Sequence, residues 1–313
     1  MIQHDDHDRI AIIGAGHVGS TAAYALMLRA LVREIVLIDS DIGLAKAEAT
    51  DISDANALAR PARVWAGDYR DAATARLAII TAGAATYGKE TRLSVSDRSA
   101  KIVGDCVDSL IAAGFDGILI IASNPVDVMA HVAFSRAGLP SNRVIGTGTL
   151  LDSSRLQQAL ASRLNVAPRA IEAIVVGEHG DSEVAAFSAV RIGGMPLDRF
   201  LLKEDRNYAQ LADDVRTAAY RIIDGKGYTS FGVATAIVRI CEAILRNERT
   251  VLPVSTLLTG EFGLSDVYLS LPCILGAGGV ERVLLPELGD HEIAQLRTSG
   301  QKIQTALAGL NSR

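Results

Sequence analysis

The stretch of sequence that decides the fold is residues 10–19, which read IAIIGAGHVG. Its apolar start predicts a buried strand, and the glycines that follow have the GxGxxG spacing of a turn leading into a helix. The first glycine allows the tight bend, the second lets the backbone approach a pyrophosphate, and the third allows the helix to pack closely on the strand. The N-terminus of such a helix attracts phosphate groups. The predicted cofactor-binding residues here are Gly14, Gly16, His17, Val18 and Gly19.

The next predicted strand ends on an acidic residue that indicates the kind of dinucleotide. Asp39 stands 20 residues after Gly19. A carboxylate at this position accepts hydrogen bonds from the 2′-hydroxyl of an adenine ribose and repels a 2′-phosphate, which favours NAD over NADP. The alternative interpretation of both features is a plain glycine turn followed by a capping aspartate.

Apolar runs alternate with helical patterns over the first half of the chain. Continuous apolar strands separated by helices are typical of a doubly wound parallel sheet. The predicted strands are 9–14, 34–39, 62–66, 77–81, 117–122 and 143–146, and the predicted helices are near 17–32, 43–59, 93–113 and 126–137. We therefore predict an α/β fold with an NAD-binding Rossmann domain over residues 1–149.

The pattern changes to mixed α+β after about residue 150. The predicted helices there are 150–164, 206–224, 229–247 and 289–309, and the predicted strands are 171–178, 183–192, 250–257, 266–271 and 280–285. Since no linker or low-complexity segment separates the halves, we expect them to pack tightly. Residues 150–313 are predicted to form the substrate and catalytic domain.

Composition and charge exclude several classes of function. Hydrophobic residues make up 49% of the chain, enough for a sizeable core. The formal charge of −5, without a basic stripe, argues against a nucleic-acid partner. Residues 10–28 carry no charged side chain but are broken by glycines and follow an acidic flank, so we expect neither a membrane span nor a signal peptide. Three widely spaced cysteines favour a reducing cytoplasm.

Three residues of the second half point to acid–base chemistry on an anionic substrate. His179 lies between glycines where an apolar strand is predicted to end, a position suited to proton transfer near neutral pH. Asp152 and Arg155 are three residues apart and share one face of a predicted helix. They either form a plain salt bridge or divide the work, with Asp152 holding and charging His179 and Arg155 binding a carboxylate with its planar fork. An imidazolium and a guanidinium require no metal, and we expect none.

Two further residues lie where ligands bind in open α/β sheets. Asn124 follows a strongly apolar strand and is expected to orient a carbonyl and the nicotinamide, although an Asn-Pro turn is the plain alternative. Arg92 follows a Gly- and Thr-bearing stretch, from which a closing lid would bring it to polarise a substrate carbonyl. Residues 83–90 nearly match a phosphate-binding P-loop, but Glu90 stands where that motif requires Ser or Thr.

Together these stretches resemble the L-lactate/malate dehydrogenase superfamily, on its L-lactate side. The matching runs, in order, are GAGHVGS, ITAGA, ETRL, SNPVDV, VIGTGTLLDSSR, VGEHGDSEV and GKGYTSFGVATA, from residue 14 to residue 236. The longer run DGKGYTSFGVATAIVRI at 224–240, together with VIGTGTLLD, also resembles L-2-hydroxyisocaproate dehydrogenases, which accept bulkier substrates. The resemblance implies an NAD-dependent L-2-hydroxy acid dehydrogenase that acts on a small 2-keto or 2-hydroxy acid.

The resemblance also implies roles for single residues. His179 corresponds to the family's proton donor and acceptor with Asp152 as its partner, and Arg155 corresponds to the carboxylate clamp. Arg92 corresponds to the lid arginine that polarises the carbonyl. Substrate contacts are implied for Asn124, Thr229 and Thr86, and further cofactor contacts for Thr81, Ala82, Gly83, Ser123, Asn124 and Val233.

Departures from the family pattern bear on specificity. Thr86 stands where lactate enzymes usually have Gln and malate enzymes Arg, so no cation is evident for a second carboxylate, although Lys89 is a candidate. Gln157 and Glu172 stand where enzymes activated by fructose 1,6-bisphosphate carry Arg and His, which predicts no such activation. Malate dehydrogenase and a non-catalytic NAD-binding redox sensor remain the alternatives. The resemblance suggests a homotetramer or homodimer, with the helices near 17–32 and 229–247 as candidate contact surfaces.

Overall fold

The computed structural model of the chain describes residues 9–56, 58–59, 62–84, 92–200 and 207–311, apart from the side chains of residues 92–94 and 311. Within these ranges no helix combines the length and apolar character needed to cross a lipid bilayer.

The first half forms a parallel sheet with strand order β3-β2-β1-β4-β5-β6. The chain order reverses between β1 and β4, and this reversal opens a crevice at the carboxyl ends of the strands, where α/β folds bind ligands. The strands are β1 (Arg9–Ile13), β2 (Glu34–Ile38), β3 (Arg63–Ala66), β4 (Leu77–Ile80), β5 (Ile118–Ile121) and β6 (Val144–Gly146). The helices are α1 (His17–Arg29), α2 (Ile42–Asn56), α3 (Tyr69–Ala72), α4 (Arg92–Ala112) and α5 (Val126–Ala137). The predicted doubly wound fold is confirmed.

The second half extends this sheet and adds two small ones. An antiparallel unit of three strands joins β6 through the pairing of Ser255 with Gly146, giving nine strands over the described residues. The helices are α6 (Leu150–Leu164), α7 (Tyr208–Arg216), α8 (Ala218–Lys226), α9 (Phe231–Leu245) and α10 (Asp290–Asn311). The strands are β7 (Ile171–Glu172), β8 (Val175–Val176), β9 (Val184–Ala185), β10 (Arg191–Ile192), β11 (Met195–Pro196), β12 (Thr250–Thr259), β13 (Ser265–Gly276) and β14 (Gly279–Val283).

Apolar side chains fill both faces of the large sheet. Alternate residues of β1 point to opposite sides, with Ala11 and Ile13 in one cluster and Ile10 and Ile12 in the other. Helices α4, α5 and α10 contribute to the first cluster, and α1, α2 and α9 to the second. Because both faces are buried, β4 and β5 are apolar throughout, and β1 and β2 are apolar after their first residue.

Three predicted elements of the second half are wrong in detail. The strand expected over 171–178 is two short strands, β7 and β8, which belong to different sheets. The helix expected over 206–224 is two helices, α7 and α8, which meet at Thr217. The Thr217 hydroxyl donates to the Asp213 carbonyl at 2.8 Å, a back-bond of the kind that bends helices. The strand expected over 183–192 is interrupted by a 3-10 turn over Phe187–Ala189, where the ring of Phe187 stacks on Tyr208.

Candidate active site

The glycine turn after β1 has the close contacts that its spacing predicts. Gly14 has φ +106°, and a Cβ added there would lie 2.6 Å from the backbone nitrogen of Ala82. A Cβ on Gly19 would lie 1.9 Å from the carbonyl oxygen of Gly14, so only glycine lets α1 approach the turn. A Cβ on Gly16 meets nothing within 4 Å. The turn therefore leaves open backbone at the N-terminus of α1, as a pyrophosphate cradle requires.

Asp39 and Thr81 hold this turn in place. The Asp39 carboxylate accepts the backbone N–H of Ala15 at 2.6 Å with one oxygen and that of Asp41 at 2.9 Å with the other. The Thr81 hydroxyl donates to the carbonyl of Gly14 at 2.8 Å. Both side chains, predicted as cofactor ligands, thus also organise the loop itself. An acidic residue at the end of β2, beside the glycine turn, fits the ribose of NAD.

The segment after β4, residues 81–84, is held by hydrogen bonds to two serine hydroxyl groups. Ser123 is buried and donates to the carbonyl of Ala82 at 2.5 Å. Ser99, also buried, accepts the backbone N–H of Ala84 at 3.2 Å. A Cβ on Gly83 would touch both serines only at ordinary contact distance. The predicted cofactor residues Ala82, Gly83 and Ser123 therefore form one connected shelf at the crevice.

The predicted catalytic pair is in direct contact. His179 follows β8 and Asp152 lies in the first turn of α6, yet His179 Nδ1 is 2.5 Å from Asp152 Oδ2. Asp152 is fully buried, whereas 23% of the His179 side chain is exposed. With Nδ1 turned to the carboxylate, Nε2 is the ring nitrogen that remains to exchange a proton with a substrate.

Charges around this pair favour the protonated imidazole. Burial alone lowers the pKa of His179, but the Asp152 carboxylate outweighs it and raises the pKa from 6.5 to about 9. Burial alone raises the pKa of Asp152, but His179 and Arg155 hold it below 3.8. Burial, reinforced by Asp152, raises the pKa of Glu183 to about 8, so that Glu183 is largely uncharged at neutral pH.

Arg155 lies on the same turn of α6 and contacts the other oxygen of Asp152. Its Nη1 is 2.8 Å from Asp152 Oδ1. The geometry shows the salt bridge of Asp152 to Arg155 and the hydrogen bond of Asp152 to His179, and the role of Arg155 as a carboxylate ligand stays a prediction. One buried carboxylate thus places a guanidinium and an imidazole side by side, an arrangement suited to a small anion with an adjacent carbonyl.

The loop after β5 reaches the histidine through Asp127. Asp127, in the first turn of α5, is 1% exposed and accepts the backbone N–H of His179 at 2.7 Å. Asn124 is exposed three residues earlier and precedes a cis peptide bond to Pro125. The sequence analysis assigned Asp127 no role. The one local feature that could have pointed to it is its position as an acidic residue in the first turn of a helix, shortly after a buried strand.

Two predicted site residues near the start of α9, Thr229 for substrate and Val233 for cofactor, lie close to the glycine turn. The ring of Tyr228, next to Thr229, stacks on His17 with centroids 3.9 Å apart and planes at 12°. Thr229 is half-buried, and Val233 packs on the same apolar cluster as Val18. A Cβ on Gly232 would meet Leu151, the neighbour of Asp152, so α9 starts against α6. The Tyr228 contact was not predicted, because nothing local links residues so far apart.

The predicted lid is described only where it enters α4. Arg92 is the first residue of that helix, and its side chain is not among those described. Thr86 and Lys89 lie outside the described residues.

Comparison with known proteins shows the family of the chain. The model of the lactate/malate dehydrogenase NAD binding domain matches residues 8–146, and that of the α/β C-terminal domain of the same family matches residues 149–310. The L-lactate dehydrogenase of Thermus aquaticus is 44% identical over 309 residues, covering 96% of this chain and 99% of that protein.

Solved structures show the same similarity in three dimensions. The minor L-lactate dehydrogenase of Enterococcus mundtii in its ligands-bound form has a TM-score of 0.94 at 38% identity, covering 97% of this chain and 98% of that one. The ligands-unbound form of the same enzyme has a TM-score of 0.86 at 37% identity, covering 96% of this chain and 97% of that one. The backbone described here is therefore closer to the ligands-bound form.

Proposed function

Since the chain belongs to the lactate/malate dehydrogenase family and is an NAD-dependent 2-hydroxy acid oxidoreductase, we propose that it catalyses the reversible reduction of pyruvate to L-lactate by NADH. The observation that carries the proposal is the contact of His179 and Arg155 with one buried carboxylate, Asp152. Asp152 and Arg155 lie on one turn of α6 and His179 in the loop after β8, so the cluster would supply a proton and an anion-binding fork to the same substrate.

The glycine turn, Asp39 and the shelf of Thr81, Ala82, Gly83 and Ser123 are proposed to hold NAD. The open backbone at Gly16 would receive the pyrophosphate, and Asp39 would bind the adenine ribose. Val233 and Asn124 would flank the nicotinamide. When bound, NADH supplies the hydride that reduces the keto carbon.

His179 is proposed to hold the proton at Nε2 and to donate it to the keto oxygen as that oxygen gains negative charge. The raised pKa keeps the imidazole charged at neutral pH, and Asp152 compensates the charge without accepting the proton. In the reverse direction, the neutral imidazole accepts the hydroxyl proton at the same nitrogen.

Arg155 is proposed to bind the substrate carboxylate, with Thr229 beside it. Its Nη1 is held by Asp152, which fixes the plane of the guanidinium and so the direction in which the fork points. A fixed carboxylate determines which face of the keto carbon is presented, and hence the L configuration of the product. Arg92 is proposed to stabilise the developing oxyanion from the lid.

Pyruvate is proposed as the preferred substrate over oxaloacetate, because Thr86 offers no charge to a second carboxylate. The test is a comparison of kcat/KM for pyruvate, oxaloacetate, 2-ketoisocaproate and phenylpyruvate, followed through NADH absorbance. We expect pyruvate to exceed oxaloacetate and the larger acids to retain activity, in line with the resemblance of residues 225–236. A preference for oxaloacetate would contradict the lactate assignment.

We propose that fructose 1,6-bisphosphate does not activate the enzyme. Gln157 and Glu172 line a groove of about 1210 Å³. Two arginines of this groove already pair with acidic residues, Arg191 with Glu287 at 3.6 Å and Arg239 with Glu248 at 2.7 Å. We expect the KM for pyruvate to be the same with and without the sugar phosphate, and a fall in KM on its addition would refute the proposal.

The chain is proposed to act as a homotetramer or homodimer. Large apolar side chains are exposed on the predicted contact helices, including Tyr24 and Leu28 of α1 and Phe231 of α9, which is 69% exposed. Light scattering at micromolar concentration would reveal the assembly, and a monomer mass would contradict it.

We propose a cytoplasmic location and the division into residues 1–149 for NAD and 150–313 for substrate. Cys106, Cys241 and Cys273 are free and buried, which suits a reducing compartment. Fractionation of cells that express the tagged protein tests the location.

A further inference from the structure

Asp127 is a buried carboxylate whose two oxygens have different partners in the chain. Its Oδ2 accepts the backbone N–H of His179 at 2.7 Å, and its Oδ1 accepts the hydroxyl of Ser255 at 2.6 Å. Asp127 belongs to α5, Ser255 to β12 and His179 to the loop after β8. One side chain thus ties together three segments that are distant in sequence.

Neutral hydrogen-bond donors are weak compensation for a fully buried charge. Burying a carboxylate is costly unless a charge or several donors offset it, and here the backbone N–H of His179 and the hydroxyl of Ser255 are both neutral donors. The positive charge that opposes the effect of burial on the pKa of Asp127 is the imidazolium of His179. An asparagine of the same shape would avoid the cost, so the charge calls for an explanation beyond packing.

We propose that Asp127 is a second anionic positioning residue of His179, which holds the backbone of the histidine while Asp152 holds its ring. The inference rests on the proposed function, since it assigns Asp127 to the proton transfer. With the backbone N–H held by Asp127 and Nδ1 held by Asp152, Nε2 is the ring nitrogen left for proton exchange.

Other contacts of the loop hold the neighbours of His179 and not His179 itself. Gly177 exchanges two backbone hydrogen bonds with Ser270 at 2.9 and 3.0 Å, and the N–H of Glu178 donates to Ser299 at 2.9 Å. Because these uncharged contacts already order the loop, removal of the Asp127 charge alone is expected to leave the loop folded.

Both Asp127 and His179 are surrounded by other charged groups that shift their pKa values. Burial raises the pKa of Asp127 to about 6, opposed by Ser255 and His179 and reinforced by Glu178. His179 faces Asp152 on α6, Asp127 on α5 and Glu183, all of which raise its pKa against the effect of burial, and Arg155 lies beside Asp152. The Asp127 carboxylate therefore also favours the imidazolium.

The test compares Asp127→Asn with Asp108→Asn, a matched control whose exposed carboxylate pairs with Arg136 far from the site. For Asp127→Asn we expect kcat for pyruvate reduction to fall roughly 10- to 100-fold, and the alkaline decline of activity to move about one unit to lower pH. NADH affinity should stay within about twofold of wild type, and Asp108→Asn should leave all three quantities unchanged.

A loss of kcat without any shift of the pH profile would show a purely structural role and overturn the inference. If Asp127→Asn does not fold, Ser255→Ala decides the matter. If the Asp127 charge acts on His179, protonation of Asp127 lowers activity on the acid side. Loss of the Ser255 donor raises the pKa of Asp127, so this acid-side decline should move to higher pH while the alkaline side stays in place. An unchanged acid side would overturn the inference. If the wild type reduces none of the 2-keto acids, the proposed function fails instead.

Discussion

The glycine turn and the histidine loop meet at one crevice but are built in opposite ways. The turn is shaped by the close approach of Gly19 to Gly14, whose GxGxxG signal lies within a few residues, and it is braced by the side chains of Asp39 and Thr81. The histidine loop is held by side chains that are far away in sequence, including Asp152, Asp127 and Ser299. The turn therefore requires residues without a side chain at Gly14 and Gly19, whereas the histidine loop requires charged and polar side chains from distant segments.

This contrast predicts that Asp152→Asn lowers catalytic turnover, which depends on the histidine loop, but leaves cofactor binding at the glycine turn nearly unchanged. The amide cannot balance an imidazolium and favours the wrong tautomer of His179, so kcat for pyruvate reduction should fall on the order of 10³-fold. NADH affinity, measured by fluorescence titration, should stay within about threefold of wild type. Undiminished turnover would remove Asp152 from catalysis.

Arg155→Lys is expected to separate substrate binding from cofactor binding. Lysine keeps the charge but loses the planar fork, so the KM for pyruvate should rise roughly 100-fold. The Kd of NADH should hardly change, because Arg155 contacts Asp152 and lies outside the glycine turn proposed to hold the cofactor. Equal weakening of both would argue against Arg155 as the carboxylate ligand.

Two glycine variants are expected to split the turn into a packing part and a binding part. Gly19→Ala forces a Cβ to within 1.9 Å of the Gly14 carbonyl and should cost about 3 kcal/mol of unfolding free energy. Gly16→Ala meets nothing within 4 Å, so its Tm should stay within about 2 °C of wild type while NADH affinity falls roughly tenfold. Thermal melts and titrations of both variants give the comparison; equal loss of Tm would contradict it.

The smallest expected effect is the change of wild-type kcat/KM with pH near neutrality. Because the pKa of His179 is raised to about 9, kcat/KM for pyruvate reduction should be flat around pH 7 and fall as the pH rises through about 9. The same raised pKa stabilises the fold fully below the unfolded value of 6.5, and this contribution is lost as the pH rises through about 9. An activity decline centred near 6.5 would show that Asp152 does not charge the histidine.

Local patterns were sufficient for the sheet and the turn. The strands around Gly14 and Asp39 are apolar because both faces are buried, and they end in residues with specific backbone or charge requirements, so the predicted parallel sheet is confirmed. The break at Thr217 was not predictable, because no Gly or Pro marks it and threonine occurs in many unbroken helices.

The candidate site was predictable only in part. His179, Asp152 and Arg155 stand in distinctive local runs, and the structure places them in contact. Asp127 and Tyr228 were missed because their partners, Ser255 and His17, are more than a hundred residues away in the chain. Their roles in catalysis and binding, like that of Arg92, stay predictions.

The most direct test of the central claim is a crystal structure of the protein with NADH and oxamate, an unreactive analogue of pyruvate. The account predicts the oxamate carboxylate on the guanidinium of Arg155 and the neighbouring carbonyl oxygen about 2.8 Å from His179 Nε2. Oxamate bound elsewhere, or bound with its carboxylate away from Arg155 while the glycine turn holds NADH, would contradict it.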